Sequence, residues 1–72
     1  MKISNIKNFY LENTNTGKTV VAHTLRHACE LAVNAHNTNL LIHIGGYNLD
    51  YYQPNDSVTM LYNRCLEIIN NI

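Results

Sequence analysis

The most regular alternation of apolar and polar positions in the chain runs from Leu40 to Tyr52, LLIHIGGYNLDYY. Leu40, Ile42 and Ile44 alternate with Leu41 and His43; after Gly45-Gly46, Tyr47, Leu49 and Tyr51 alternate with Asn48, Asp50 and Tyr52. Two period-2 runs joined by two glycines predict a β-hairpin, because a two-residue turn needs the positive φ that glycine adopts without steric cost. This phase assigns Leu40, Ile42, Ile44, Leu49 and Tyr51 to a core, and Leu41, His43, Asn48, Asp50 and Tyr52 to the opposite face.

The same test applied from the N-terminus gives the other elements. Met1–Lys7 has Ile3 and Ile6 at helical spacing but is too short for a helix. Asn8–Asn13 alternates Phe9 and Leu11 against Asn8, Tyr10 and Glu12 and is expected to be a strand. Thr14–Lys18 is a turn with Gly17 as its positive-φ residue, and β-branched Thr19–His23 closes a first hairpin. Thr24 is placed to cap a helix running to about Asn37, with Leu25, Ala28, Cys29, Leu31, Ala32 and Ala35 on one broad face. Gln53-Pro54-Asn55 ends the strand region, since proline donates no ladder bond. Asn55 or Asp56 is the expected cap of a last helix whose apolar half carries Val58, Leu61, Tyr62, Cys65, Leu66, Ile68, Ile69 and Ile72.

The resulting order is ββαββα, an α+β domain. Its economical arrangement is a four-stranded, mainly antiparallel sheet with both helices on one face and the other face open or covered by a partner. The halves share a layout without matching residue for residue, so they are not a repeat. Seventy-two residues make a single domain. A chain of that size buries roughly 60% of its unfolded surface, which leaves stability marginal and makes oligomerisation a common remedy.

Composition changes this picture in two ways. Charged residues are only 14% of the chain, below the usual quarter or so, and twelve asparagines take up much of the polar surface. Asparagine codons are A/T-rich, which fits a low-GC bacterium, a phage or another mobile element. Net charge is zero with neutral histidines, but it is unevenly spread. Residues 1–36 carry Lys2, Lys7, Lys18 and Arg26 against Glu12 and Glu30, a net +2; residues 37–72 carry Arg64 against Asp50, Asp56 and Glu67, a net −2. The zero total gives no overall electrostatic reason to seek nucleic acid or an anionic membrane, while the dipole allows head-to-tail self-association or a basic end turned to an acidic partner. No apolar run approaches the ~20 residues of a membrane span, and no leader pattern precedes the first strand. A cytoplasmic location is therefore expected, with Cys29 and Cys65 as reduced, buried thiols.

Candidate chemistry is sparse. His23 and His27 stand at i, i+4, but the first is expected to end a strand and no third or fourth ligand stands at supporting spacing, so no metal is expected. Thr16-Gly17-Lys18-Thr19 contains the letters of a phosphate loop without its earlier glycine. His43 with Asp50 and Tyr52 forms a conceivable acid–base group, yet no nucleophile or cofactor motif accompanies it, so neither an enzyme nor a cofactor is expected.

What the pattern favours is a binding surface made of Tyr10, Leu41, His43, Asn48, Asp50 and Tyr52, because protein interfaces are enriched in tyrosine and depleted in charge. The expected function is non-enzymatic association with a larger protein, in the manner of a phage or mobile-element accessory protein that modulates or inhibits a host defence system. A homodimer is expected. Two alternatives are a nucleic-acid module using a basic patch of Lys7, Lys18 and Arg26, and a small-ligand or nucleotide binder at a homodimer interface.

Overall fold

A computed structural model describes the whole chain, Met1–Ile72. A 3-10 turn at Ile3–Asn5 leads into strands β1 (Phe9–Asn13) and β2 (Thr19–Ala22), helix α1 (Leu25–Ala35), strands β3 (Leu40–His43) and β4 (Asn48–Tyr51), and helix α2 (Val58–Asn70). The strands form one antiparallel sheet in the order β2-β1-β3-β4. The fold is thus the expected α+β arrangement. β1 sits between β2 and β3, so α1 carries the chain across it.

Both helices cover the same side of the sheet. Phe9, Leu11, Ala22, Leu40, Ile42 and Leu49 meet Leu25, Ala28, Cys29 and Ala32 of α1 and Leu61, Cys65 and Ile69 of α2 in one buried cluster. Ile3 and Ile6 pack against it from the N-terminal turn. The three helix-α2 positions repeat at i, i+4, i+8, as a single stripe on a sheet should. Cys29 and Cys65 are fully buried free thiols at the junction of the helices. Ala35, expected in the core face, lies beyond it in the solvent-exposed last turn.

The turns follow the local chemistry. In the first hairpin Asn13 Oδ1 accepts from the amides of Asn15 and Thr16, and Gly17 closes the loop at φ +79. Thr24 caps α1 by accepting from His27 N–H at 3.1 Å. In the second hairpin the Ile44 amide donates to Tyr47 C=O across Gly45-Gly46, and only Gly45 has positive φ, as a type II′ turn requires. The cap of α2 differs from expectation. Ser57 fills it, accepting from Met60 N–H, while Asn55 takes the left-handed conformation (φ 69) and Asp56 points elsewhere.

The largest departure lies in β4. His43 pairs with Asn48, but Ile42 pairs with Asp50, leaving Leu49 as an extra residue. That β-bulge shifts the side-chain alternation by one. Leu49 and Asp50 both turn toward the helices, Tyr51 turns out, and Tyr52 turns in. Tyr52 is therefore core, 5% exposed, and Tyr51 is 42% exposed, the reverse of the alternation read from sequence.

Candidate binding surface

The face that the helices leave open is laid out by the register. One row across it is Val21–Tyr10–His43–Asn48, and the next is Thr19–Glu12–Leu41–Tyr51. The Tyr10 and His43 rings stack at a centroid separation of 5.1 Å and an interplanar angle of 15°. His43 Nδ1 accepts from the Gly45 amide at 3.1 Å, which places the proton of the neutral ring on Nε2. Nε2 lies 3.2 Å from Glu12 Oε1 but out of line for a hydrogen bond, so the contact is electrostatic and the buried Nε2 has no formed partner. The hairpin turn, the histidine and the carboxylate are thereby tied together in the middle of an otherwise uncharged surface.

The residues expected on this face divide. Tyr10, His43 and Asn48 are there. Leu41 is there as well but is only 6% exposed, flanked in its row by Glu12 and Tyr51, so it supports the surface more than it offers contact. Asp50 and Tyr52 are not there, for the reason the bulge supplies. Tyr52 is buried with its hydroxyl 3.1 Å from His36 Nδ1, where α1 ends in a left-handed residue. Val21 and Tyr51 take the vacated roles, each about half exposed.

Asp50 belongs to a different constellation, built around Arg64 of α2. The guanidinium donates from Nε to Asp50 Oδ2 (2.9 Å), from Nη1 and Nη2 to the two Asp56 oxygens (2.6 and 2.7 Å), and from Nη2 to Tyr51 C=O (3.2 Å). Asp56 Oδ2 also accepts from the Gln53 amide. The Arg64 guanidinium holds the Asp56 carboxyl below the usual carboxylate range, and the Asp56 and Asp50 carboxylates raise Arg64 above its ordinary value. This latch fixes the Pro54 loop between β4 and α2. Sequence periodicity placed Arg64 on the solvated side of its helix; the available signal was that it is the sole lysine or arginine among three carboxylates in residues 37–72.

The remaining candidates do not assemble. Thr24 is extended (φ −132, ψ 151), so His23 and His27 do not share a helical turn, and His27 instead faces Glu30 at 3.7 Å. No cluster of three His, Cys, Asp or Glu side chains is disposed to hold a metal. The adjoining Cys29 thiol, and then burial, push the Cys65 thiol up, away from reactive thiolate. Lys18 sits beside Asn13 at one end of β1, whereas Lys7 and Arg26 lie at the other, roughly 13 Å away at the rise of a strand. They form no continuous basic patch. The largest cleft, about 380 Å³, is open and lined by Tyr47, Asp50, Arg64, Glu67, Ile68 and Asn71, its one cation already engaged by carboxylates. No helix is long and apolar enough to cross a membrane. Compared with protein-family models, curated proteins and solved structures, the chain matches none.

Proposed function

We propose that this chain is a non-enzymatic binding protein whose open sheet face occupies a surface of a larger protein. The observation that carries the reading is the make-up of that face: the Tyr10–His43 stack, Val21 and Tyr51 around it, and Glu12 as the only charged side chain in its two rows. Stacked and strand-mounted aromatic groups lose little conformational freedom on binding, which suits them as anchors. Small size and heavy asparagine use suggest the setting, a phage or mobile-element accessory protein that modulates a host system.

The test is affinity capture from cell extract by the immobilised chain, with captured proteins identified by mass spectrometry. Tyr10→Ala and His43→Ala are expected to lose a partner that an α2 surface variant, Asn63→Ala, retains. If the two face variants, shown to be folded, hold the same partner as strongly as the unaltered chain, the reading is wrong.

A further inference from the structure

The sheet has two edges, and only one keeps an unbroken run of outward backbone groups free for pairing. Hydrogen-bonded and non-hydrogen-bonded pairs alternate along an antiparallel ladder. The Tyr52 amide bonds Leu40 C=O, so Tyr51 turns its own N–H and C=O outward on the β4 edge. Both are taken: the amide by Asp50 Oδ1 at 2.8 Å and the carbonyl by Arg64. The bulge at Leu49 further breaks the repeat that an incoming strand would need.

On the β2 edge the Asn13 amide bonds Lys18 C=O, so the pairs Leu11–Val20 and Phe9–Ala22 are hydrogen-bonded and Thr19 and Val21 face outward. No side chain meets their backbone groups. The strand, Thr-Val-Val-Ala, contains no charge, proline or bulge, and Val20 and Val21 are 52% and 49% exposed on its two sides. It lacks the usual devices that discourage edge pairing, apart from being short.

We propose that two copies of this chain pair antiparallel along β2, joining their four-stranded sheets about a two-fold axis at Val20. In that register Thr19 and Val21 of each copy exchange both backbone hydrogen bonds with Val21 and Thr19 of the other. Val20 meets Val20 across the axis, and Val21 packs beside the partner's Thr19. Outward groups match outward groups without any shift. The zero net charge of the chain sets no repulsion against a second copy. Because the bulged β4 edge, with the Tyr51 groups taken, offers no regular run, addition stops at two, and the two open faces become one continuous platform. This goes beyond the binding-protein reading and does not depend on it.

Sedimentation equilibrium across a concentration series tests the proposal, with circular dichroism as the check on folding. The unaltered chain is expected to reach the mass of two copies and no more. Val21→Pro removes an outward amide that β1 does not use, so it is expected to stay folded and to sediment as one copy. Val20→Cys is expected to form an inter-chain disulfide under mild oxidation, because residues opposed in a non-hydrogen-bonded pair bring their Cβ atoms close. It decides the matter alone if Val21→Pro does not fold. A single-copy mass at every concentration, assemblies larger than two, a dimer that persists in folded Val21→Pro, or no cross-link through Val20→Cys would each overturn the proposal. Loss of partner capture in Tyr10→Ala with an unchanged dimer mass separates this interface from the open face.

Discussion

β2 and β4 are four-residue edge strands of one sheet, and their sequences reverse what their edges do. TVVA looks like an ordinary hairpin arm, yet its outward amides and carbonyls are free. NLDY looks like the arm with unexplained polar residues, yet those residues close its edge. Asp50 is turned toward the helices by the bulge, takes the Tyr51 amide and holds Arg64, which reaches on to the Tyr51 carbonyl. A polar residue in a strand is thus no guide to binding until its register is known. In β4 polarity ends the sheet, and in β2 its absence leaves the sheet extensible.

The largest effect is expected from removing Arg64, which ties β4 to the loop before α2. Arg64→Ala leaves Asp56, whose side chain is 2% exposed, buried without its cation. Breaking such a pair typically costs about 3–5 kcal/mol; with Arg64 itself 30% exposed, the lower end, on the order of 3 kcal/mol, is expected. For a domain of this size that corresponds to a Tm lower by roughly 12–24 °C, measured by thermal unfolding. The Tyr51 carbonyl is freed as well, but its amide stays with Asp50 and the bulge remains, so the variant is still expected to sediment no further than two copies.

A smaller effect comes from acid. The folded Asp56 value is held below its unfolded one by Arg64, so its stabilisation is present above the ordinary carboxylate range and is lost as pH falls through the folded value. Denaturant midpoints are expected to drop below about pH 4, near the unperturbed carboxylate pKa, and the same drop is expected to be much reduced in Arg64→Ala. An equal acid slope in both proteins would assign the loss to other carboxylates and remove Asp56 from the latch.

How much of this was legible beforehand follows the same divide. Where the period is unbroken, as in both helices, β1, β2 and β3, the apolar spacing located the elements, most of their buried positions and the open face with Tyr10 and His43. In β4 a single extra residue, Leu49, inverted Asp50, Tyr51 and Tyr52. A bulge leaves the composition unchanged, so the sequence carries no mark of it. Arg64 was hidden for another reason: a guanidinium on the polar side of a helix has the same spacing whether it meets water or two carboxylates, here one on β4 and one just before the helix. Tyr52 shows the result, since the residue chosen as a surface anchor holds the end of α1. Tyr52→Phe is expected to cost about 1 kcal/mol by deleting its bond to His36, with no change in partner capture. A loss of capture would return Tyr52 to the surface.

The smallest effect on the single chain belongs to the open edge. Val21 donates nothing to β1, so replacing it with proline removes no internal hydrogen bond, and proline is tolerated on an edge strand with its nitrogen toward solvent. Its unfolding free energy, extrapolated to a concentration where only one copy is present, is expected to change by less than about 1 kcal/mol. Apparent stability at high concentration should fall further, because a dimer stabilises the folded state by mass action and the variant loses that contribution. The informative quantity is therefore the concentration dependence of Tm: present in the unaltered chain, absent in Val21→Pro. A concentration-dependent Tm that survives the substitution would mean that the chains meet through some surface other than β2.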